Sequence, residues 1–381
     1  MVDQLPRVPP LPQDAICLHI GVHKTGTTAL QSALAQSRDD LARAGVAYPG
    51  RRTAHHGAAT SAIGRTWGWR DRGGQAPNPA VFDRLARQAR NHPGRVVISS
   101  EQFCEADDEA AARIVAGLGS DRTHVVVAVR SLGRLLPSSW QQYLKYGQTM
   151  AYEKWLRTIL DPDYDGRVTP TFWRRNDHGR LVHRWADLLG PDRVTVLVVD
   201  NVGPDALFTA IAQMLDVPAE VLLSRRDDAP NRSMTAAESE FLRRLNRALA
   251  KSLSWQDYET LVRGGVASAL QTREPDAGEP RLHTPQWALD AATARGQQAV
   301  TAIRESGVQV VGDLDALARP LQASPTLPPG TLGALPMDAA LAVVGAQVRS
   351  QAGTAGQSGT GRARQAASRA KWAVAGALSR R

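Results

Sequence analysis

Ala15-Ile-Cys-Leu-His-Ile-Gly-Val-His-Lys-Thr-Gly-Thr-Thr-Ala-Leu-Gln31 runs an apolar strand into a loop of phosphate size and then opens a helix. Ile16, Leu18 and Ile20 alternate as a strand with one buried face requires. Gly21 and Gly26 let the backbone approach an anion. Thr27 and Thr28 set hydroxyls at a helix N-terminus, where unpaired N–H groups and the helix dipole favour negative charge. The natural guest is a phosphate or sulfate ester, cradled by His23, Lys24, Thr25, Gly26, Thr27 and Thr28.

The spacing from Gly21 to Gly26 matches the GxxxxG half of a nucleotide-binding P-loop. The usual lysine after the second glycine is replaced by Thr27, and the lysine lies inside the loop, at position 24. In a P-loop NTPase that lysine reaches the β and γ phosphates and the following hydroxyl holds magnesium. The displaced lysine points elsewhere. Lys24-Thr-Gly-Thr-Thr28 resembles the 5′-phosphosulfate loop of sulfotransferases, whose donor is 3′-phosphoadenosine 5′-phosphosulfate (PAPS). The resemblance implies an α/β fold of the P-loop NTPase-like sulfotransferase kind, a parallel sheet flanked by helices, with PAPS as donor and no metal.

A second motif follows about a hundred residues later. His124-Val-Val-Val-Ala-Val-Arg130 is a buried strand ending in an arginine at the carboxyl edge, where open α/β sheets place ligands, and Ser138 stands eight residues on. This pair is similar to the 3′-phosphate site of the same family, where arginine and serine grip the phosphate that distinguishes PAPS from ATP. The chemistry stands without the family: a guanidinium fork pairs bidentately with phosphate, and a helix-borne hydroxyl adds a neutral donor. Taken alone, the segment also reads as a surface ion pair beside an ordinary helix serine.

Alternation through the body predicts strands over 15–21, 95–99, 124–130 and 193–200. Helices are expected over 27–43, 79–90, 109–118, 135–146, 180–189, 205–215, 235–249 and 285–306, with Glu238 in a capping box with Thr235. The 381 residues, 43% hydrophobic, divide into an extension over 1–14, a domain over 15–320 with an insertion at 48–78, and a Pro/Gly/Ala-rich basic tail over 321–381, expected to be largely disordered. The net charge of +9 resides mostly at the end: seven basic residues and no acid follow position 340, leaving +2 for everything before. A nearly neutral body argues against nucleic acid as partner, and the last 14 residues form a candidate short basic helix for weak contact with an anionic membrane. Cys17 and Cys104 offer neither a disulfide framework nor a zinc spacing. With no 18-residue apolar run, the chain reads as soluble and cytoplasmic.

Sulfuryl transfer asks the protein to position two groups, stabilise the departing phosphate and accept a proton. Lys24 is placed for the phosphate. Glu101, just past the strand 95–99, is the leading candidate base, and relatives implied by the resemblance carry either a histidine or a glutamate on the corresponding stretch. His55 and His56 in the insertion compete for the role, since imidazole titrates near neutrality. The insertion is a candidate acceptor-binding lid, and its Trp67 and Trp69 either stack on a sugar face or pin the insertion to the body. The acceptor is a carbohydrate, lipid or small molecule bearing a hydroxyl or amine. Adenine contacts are unassigned, because Ala29 stands where many cytosolic members of the family carry tryptophan, and Pro230-Asn-Arg-Ser233 reads either as a late nucleotide contact or as a helix cap. Two other readings stay open: a P-loop kinase using ATP and magnesium, with Asp200 as its only good metal-binding carboxylate, and a nucleotide-binding scaffold without turnover.

Overall fold

Strands buried on both faces need helices on both sides, and the apolar runs dictate that arrangement. In the computed structural model, which describes residues 7–355 apart from 76, 227–231, 250, 325–326 and 328–332, six parallel strands form one sheet in the order β2-β3-β1-β4-β5-β6. They are β1 Ile16–His19, β2 Val46–Ala47, β3 Arg95–Ser99, β4 Thr123–Val129, β5 Val194–Val198 and β6 Gln309–Val311. The α/β class expected from the sequence is therefore observed. Leu18 lies opposite Ile98 on one side and Val125 on the other, so β1 delivers its loop to the middle of the carboxyl edge.

Side chains alternate between two cores. Ile16, Leu18, Ile98, Val125 and Val127 face the helices Pro79–Asn91, Asp108–Leu118, His178–Leu189 and Gln286–Glu305. Cys17, Val97, Val126, Ala128 and Leu197 face Thr27–Gln36 and Ala206–Leu215. A one-residue slip in any strand would exchange its two faces, which fixes the register. A third core of Trp140, Trp155, Phe172, Trp255 and Tyr258 joins Leu132–Leu144 to Tyr152–Ile159 and to a helical stretch containing the π-helical turns Tyr258–Ala267.

Several boundaries differ from the sequence expectation for local reasons. The helix expected over 27–43 divides at Ser37, whose hydroxyl donates to the Val221 carbonyl at 2.6 Å. The helix expected from 135 begins at Leu132 and continues through Pro137. Edge strands β2 and β6, two and three residues long, are too short to show a period. The tail expected to be disordered from 321 contains the helix Met337–Ala355, with Ala339 buried in the third core. The last 14 residues, proposed as a membrane helix, lie outside the described residues. Among the described residues no helix is long and apolar enough to cross a membrane. The capping box is formed: the Glu238 N–H donates to Thr235 Oγ1 at 3.3 Å and the Thr235 N–H to Glu238 Oε2 at 2.7 Å.

Candidate active site

After β1 the chain stays pinned to the sheet edge, with the Ile20 and Val22 amides donating to Val126 and Ala128, each at 2.9 Å. It then turns sharply, Lys24 at φ 71° and Gly26 at φ 88°, both left-handed. A non-glycine residue pays roughly 1–2 kcal/mol for that conformation, so strain is stored at the lysine itself. Gly26 caps the helix Thr27–Gln36 without a side-chain bond, which leaves the first amides free to meet a ligand. A Cβ on Gly21 would stand 3.0 Å from His19 Nε2, Thr25 Oγ1 and Thr27 Oγ1, so any larger residue there must push these three side chains aside. Thr25 works as a clip: its hydroxyl donates to the Val22 carbonyl at 2.8 Å.

The loop opens onto a cavity of about 570 Å³. Among the described residues, Lys24, Arg130, Arg134, Lys145 and Arg281 line it against one carboxylate, Glu101. The structure thus brings the two sequence motifs together: Gly26, Thr27, Thr28, Arg130 and Ser138 share this wall. Arg130 is steered by Asp200, 3.7 Å from its Nε, and donates to the Lys24 carbonyl at 3.4 Å. Ser138 Oγ donates to the Leu135 carbonyl at 3.0 Å, a bond it must give up to donate to a phosphate. Asp200 itself accepts from the Ser131 amide and pairs with Arg134 at 3.3 Å. Committed to these partners, it positions Arg130 and is not presented to the cavity as a kinase's metal carboxylate would be.

The candidate bases separate on geometry. Glu101 lines the cavity, accepts from Gln31 Nε2 at 3.1 Å and lies 3.7 Å from His56 Nε2. Burial alone would raise its pKa; the His56 ring foremost, then its own backbone N–H and the Gln31 amide, outweigh burial and hold it below the usual carboxylate value. His56 keeps Nδ1 on Ser100 Oγ at 2.9 Å. His55 is spent structurally: the Ser99 amide donates to its Nδ1 at 3.1 Å, so Nε2 carries the proton and donates to the Pro49 carbonyl at 2.8 Å. It cannot accept a proton without losing a buried bond, and it lines none of the cavities described here. His23 is pushed down to about 3 by burial and then by Arg175, so it is neutral. Its buried Nε2 has no hydrogen bond.

Two lysines share the cavity. Burial lowers the pKa of Lys24, and Glu101 partly restores it. Lys145 is pushed down to about 7 by burial, then by Lys24 and Arg263. Sequence reasoning missed Lys145, although it stands two turns after Ser138 and so on the same helix face; Arg134 and Arg281 were missed as well. Glu105 was also overlooked. It accepts from Arg65 and lies 3.5 Å from Arg175 and 3.8 Å from His23. In Pro230-Asn-Arg-Ser233, Pro230 and Asn231 lie outside the described residues, while Arg232 forks onto Glu238 at 2.7 and 2.8 Å and Ser233 lines the cavity.

No family model matches this sequence, and no curated protein does. Among solved structures, the crystal structure of a sulfotransferase from Alicyclobacillus acidocaldarius is similar at 14% identity and a TM-score of 0.47, covering 80% of this chain and 98% of that one.

Proposed function

We propose that this protein is a sulfotransferase that takes PAPS in the 570 Å³ cavity and moves its sulfuryl group to a hydroxyl or amine of an acceptor. One observation carries the reading: five basic side chains and an uncapped helix N-terminus converge on one cavity that, among the described residues, holds a single carboxylate. That surplus suits a donor bearing a phosphate monoester, about two negative charges, and a phosphosulfate. Arg130 and Ser138 hold the 3′-phosphate. Lys24 and the amides of Gly26, Thr27 and Thr28 hold the 5′-phosphosulfate. A neighbouring recess of about 420 Å³, where Ala29, Pro204, Leu207 and Phe208 form an apolar wall beside Lys24, Arg130 and Arg226, takes the adenine. The donor supplies an electrophilic sulfur: the acceptor oxygen bonds to it as the bond to the bridging phosphate oxygen breaks. Glu101 accepts the acceptor's proton, and Lys24 neutralises the charge left on the phosphate.

The test is selective binding. Adenosine 3′,5′-bisphosphate at 100 times its Kd stabilises a protein by about 2.7 kcal/mol, which a thermal-shift assay reads directly. We expect it to stabilise this chain more than ATP with magnesium, and Arg130→Ala to remove the advantage over the analogue lacking the 3′-phosphate. Equal stabilisation by all three ligands would exclude the reading.

Lys145 gives a second expectation. In the free protein it loses its proton near pH 7, whereas a polyanion in the cavity drives it back toward the ordinary lysine value of 10.5. Binding of the bisphosphate should therefore take up a proton above pH 7, and affinity should fall as pH rises from 7 to 9, because the charge must be restored first. Below pH 7 the lysine is already charged and the effect disappears. Calorimetry in buffers of differing ionisation enthalpy counts the protons; Lys145→Met should remove most of the uptake, and uptake unchanged in that variant would move the titration to Lys24.

A further inference from the structure

A second cavity, of about 360 Å³, adjoins the donor cavity and shares His23 with it. The 3₁₀ turn Glu101–Glu105 forms part of the wall between them, presenting Glu101 to the donor side and Gln102 and Glu105 to the other. We propose that this second cavity is the acceptor site and that it takes a hydroxylated ring bearing a carboxylate. The inference rests on the sulfotransferase reading and names its substrate class.

Its walls argue for the ring. Trp67, Trp69, Tyr143 and Tyr146 line the cavity, each only partly buried. The indole N–H groups are already committed, Trp67 to Glu259 at 2.8 Å and Trp69 to the Tyr146 carbonyl at 3.0 Å. What the indoles offer a ligand is therefore apolar face, held rigid by the Trp67–Tyr146 and Trp69–Tyr258 ring contacts at 5.8 and 4.5 Å. Aromatic faces on a rigid frame bind flat rings, whether a sugar's C–H face or an arene. A cavity of this size sits within the range of small-molecule sites, roughly 300–1,000 Å³.

Its charges argue for the carboxylate. The charged side chains lining the cavity are Arg65, Arg175 and Glu105, with His23 neutral, so two guanidinium groups meet one carboxylate. Arg65 and Arg175 both lean on the one carboxylate of Glu105, so the pair of guanidinium groups keeps a surplus charge. Arg175 is 5% exposed, stacks over Tyr143 at 4.7 Å and keeps its buried Nε without a partner. A buried arginine with surplus charge is costly until an anion answers it. A ligand carboxylate beside Arg65 and Arg175 supplies that answer and fixes the ring, leaving a hydroxyl free to pass His23 toward Glu101 and the donor.

Ligand-observed saturation-transfer NMR on the full chain, with adenosine 3′,5′-bisphosphate present, tests this with matched pairs: D-glucuronate against D-glucose, and 4-hydroxybenzoate against phenol. A charge-assisted pair contributes about 1.5–3 kcal/mol. The carboxylated member of at least one pair should therefore bind on the order of ten- to a hundredfold more tightly, and the pair that responds identifies sugar or arene. Arg175→Gln and Arg65→Gln should each collapse that preference; Arg65 is half-exposed, so its variant stays informative if Arg175→Gln fails to fold. Equal binding within both pairs, no binding by any of the four, or a preference unchanged in both variants overturns the proposal. The thermal shift with the bisphosphate is recorded on the same samples. Its absence would overturn the donor reading, whereas its presence without a carboxylate preference would overturn the acceptor class alone.

Discussion

Lys24→Ala is expected to lower the rate of transfer by about 10²–10³-fold, the usual cost of removing one preorganised group that stabilises developing charge. The loop should survive, because alanine and lysine pay a similar penalty at φ 71° and the turn is held by Gly26 and the Thr25 clip. Stability should be unchanged or slightly raised. Lys24 is a largely buried cation in a cavity it shares with four others, so deleting it relieves desolvation and like-charge repulsion. A cation that acts on the departing phosphate must also show in kcat more than in donor affinity. Single-turnover rates, the bisphosphate Kd and the unfolding midpoint, measured together, separate these effects. Near-wild-type turnover would remove Lys24 from the mechanism, and a lowered midpoint with proportionate loss of binding would make it a structural residue.

The parts of this site that could be read in the sequence are those where local chemistry and sheet topology coincide. The Gly21 to Gly26 loop follows β1, the centre of the sheet, and Arg130 follows its neighbour β4, so two motifs a hundred residues apart had to meet at one edge. Register does the rest, since β1 and β4 pair residue for residue from Ile16 with Thr123. What stayed hidden depends on tertiary packing. His55 and His56 are neighbours with the same intrinsic chemistry, yet one is consumed by Ser99 and Pro49 while the other faces Glu101. Nothing local distinguishes them. Trp67 and Trp69 resolve similarly: they pin the insertion to the body through Glu259 and Tyr146, and in doing so they wall the second cavity. Lys145 needed only the helical period from Ser138, but an ordinary lysine at a helix end looks solvated until the Trp255–Thr272 region, including Arg263, is folded over it.

Glu101→Gln decides the base. The amide is nearly isosteric and can still accept from Gln31 with its oxygen, so the cavity should keep its shape and donor affinity should change little. Turnover should fall by about 10²–10⁴-fold, the range general-base catalysis supplies. The pH dependence makes the assignment independent of the substitution. Glu101 is held below its ordinary value of 4.5, so it is already ionised at pH 5 and ready to accept a proton. With donor bound, which keeps Lys145 charged, kcat of the wild-type protein should stay flat from pH 8 to about pH 5 and fall only at lower pH. A histidine base would give the opposite result, an acid limb near neutrality as the ring takes its proton before the acceptor can offer one. His56→Asn completes the comparison, because it removes the group 3.7 Å from the carboxylate that does most to hold its pKa down. If Glu101 is the base, that variant should keep most of its rate while its acid limb moves upward. If instead His56→Asn loses turnover a hundredfold or more and Glu101→Gln stays near wild type, the order of the pair reverses, with the carboxylate orienting an imidazole that takes the proton.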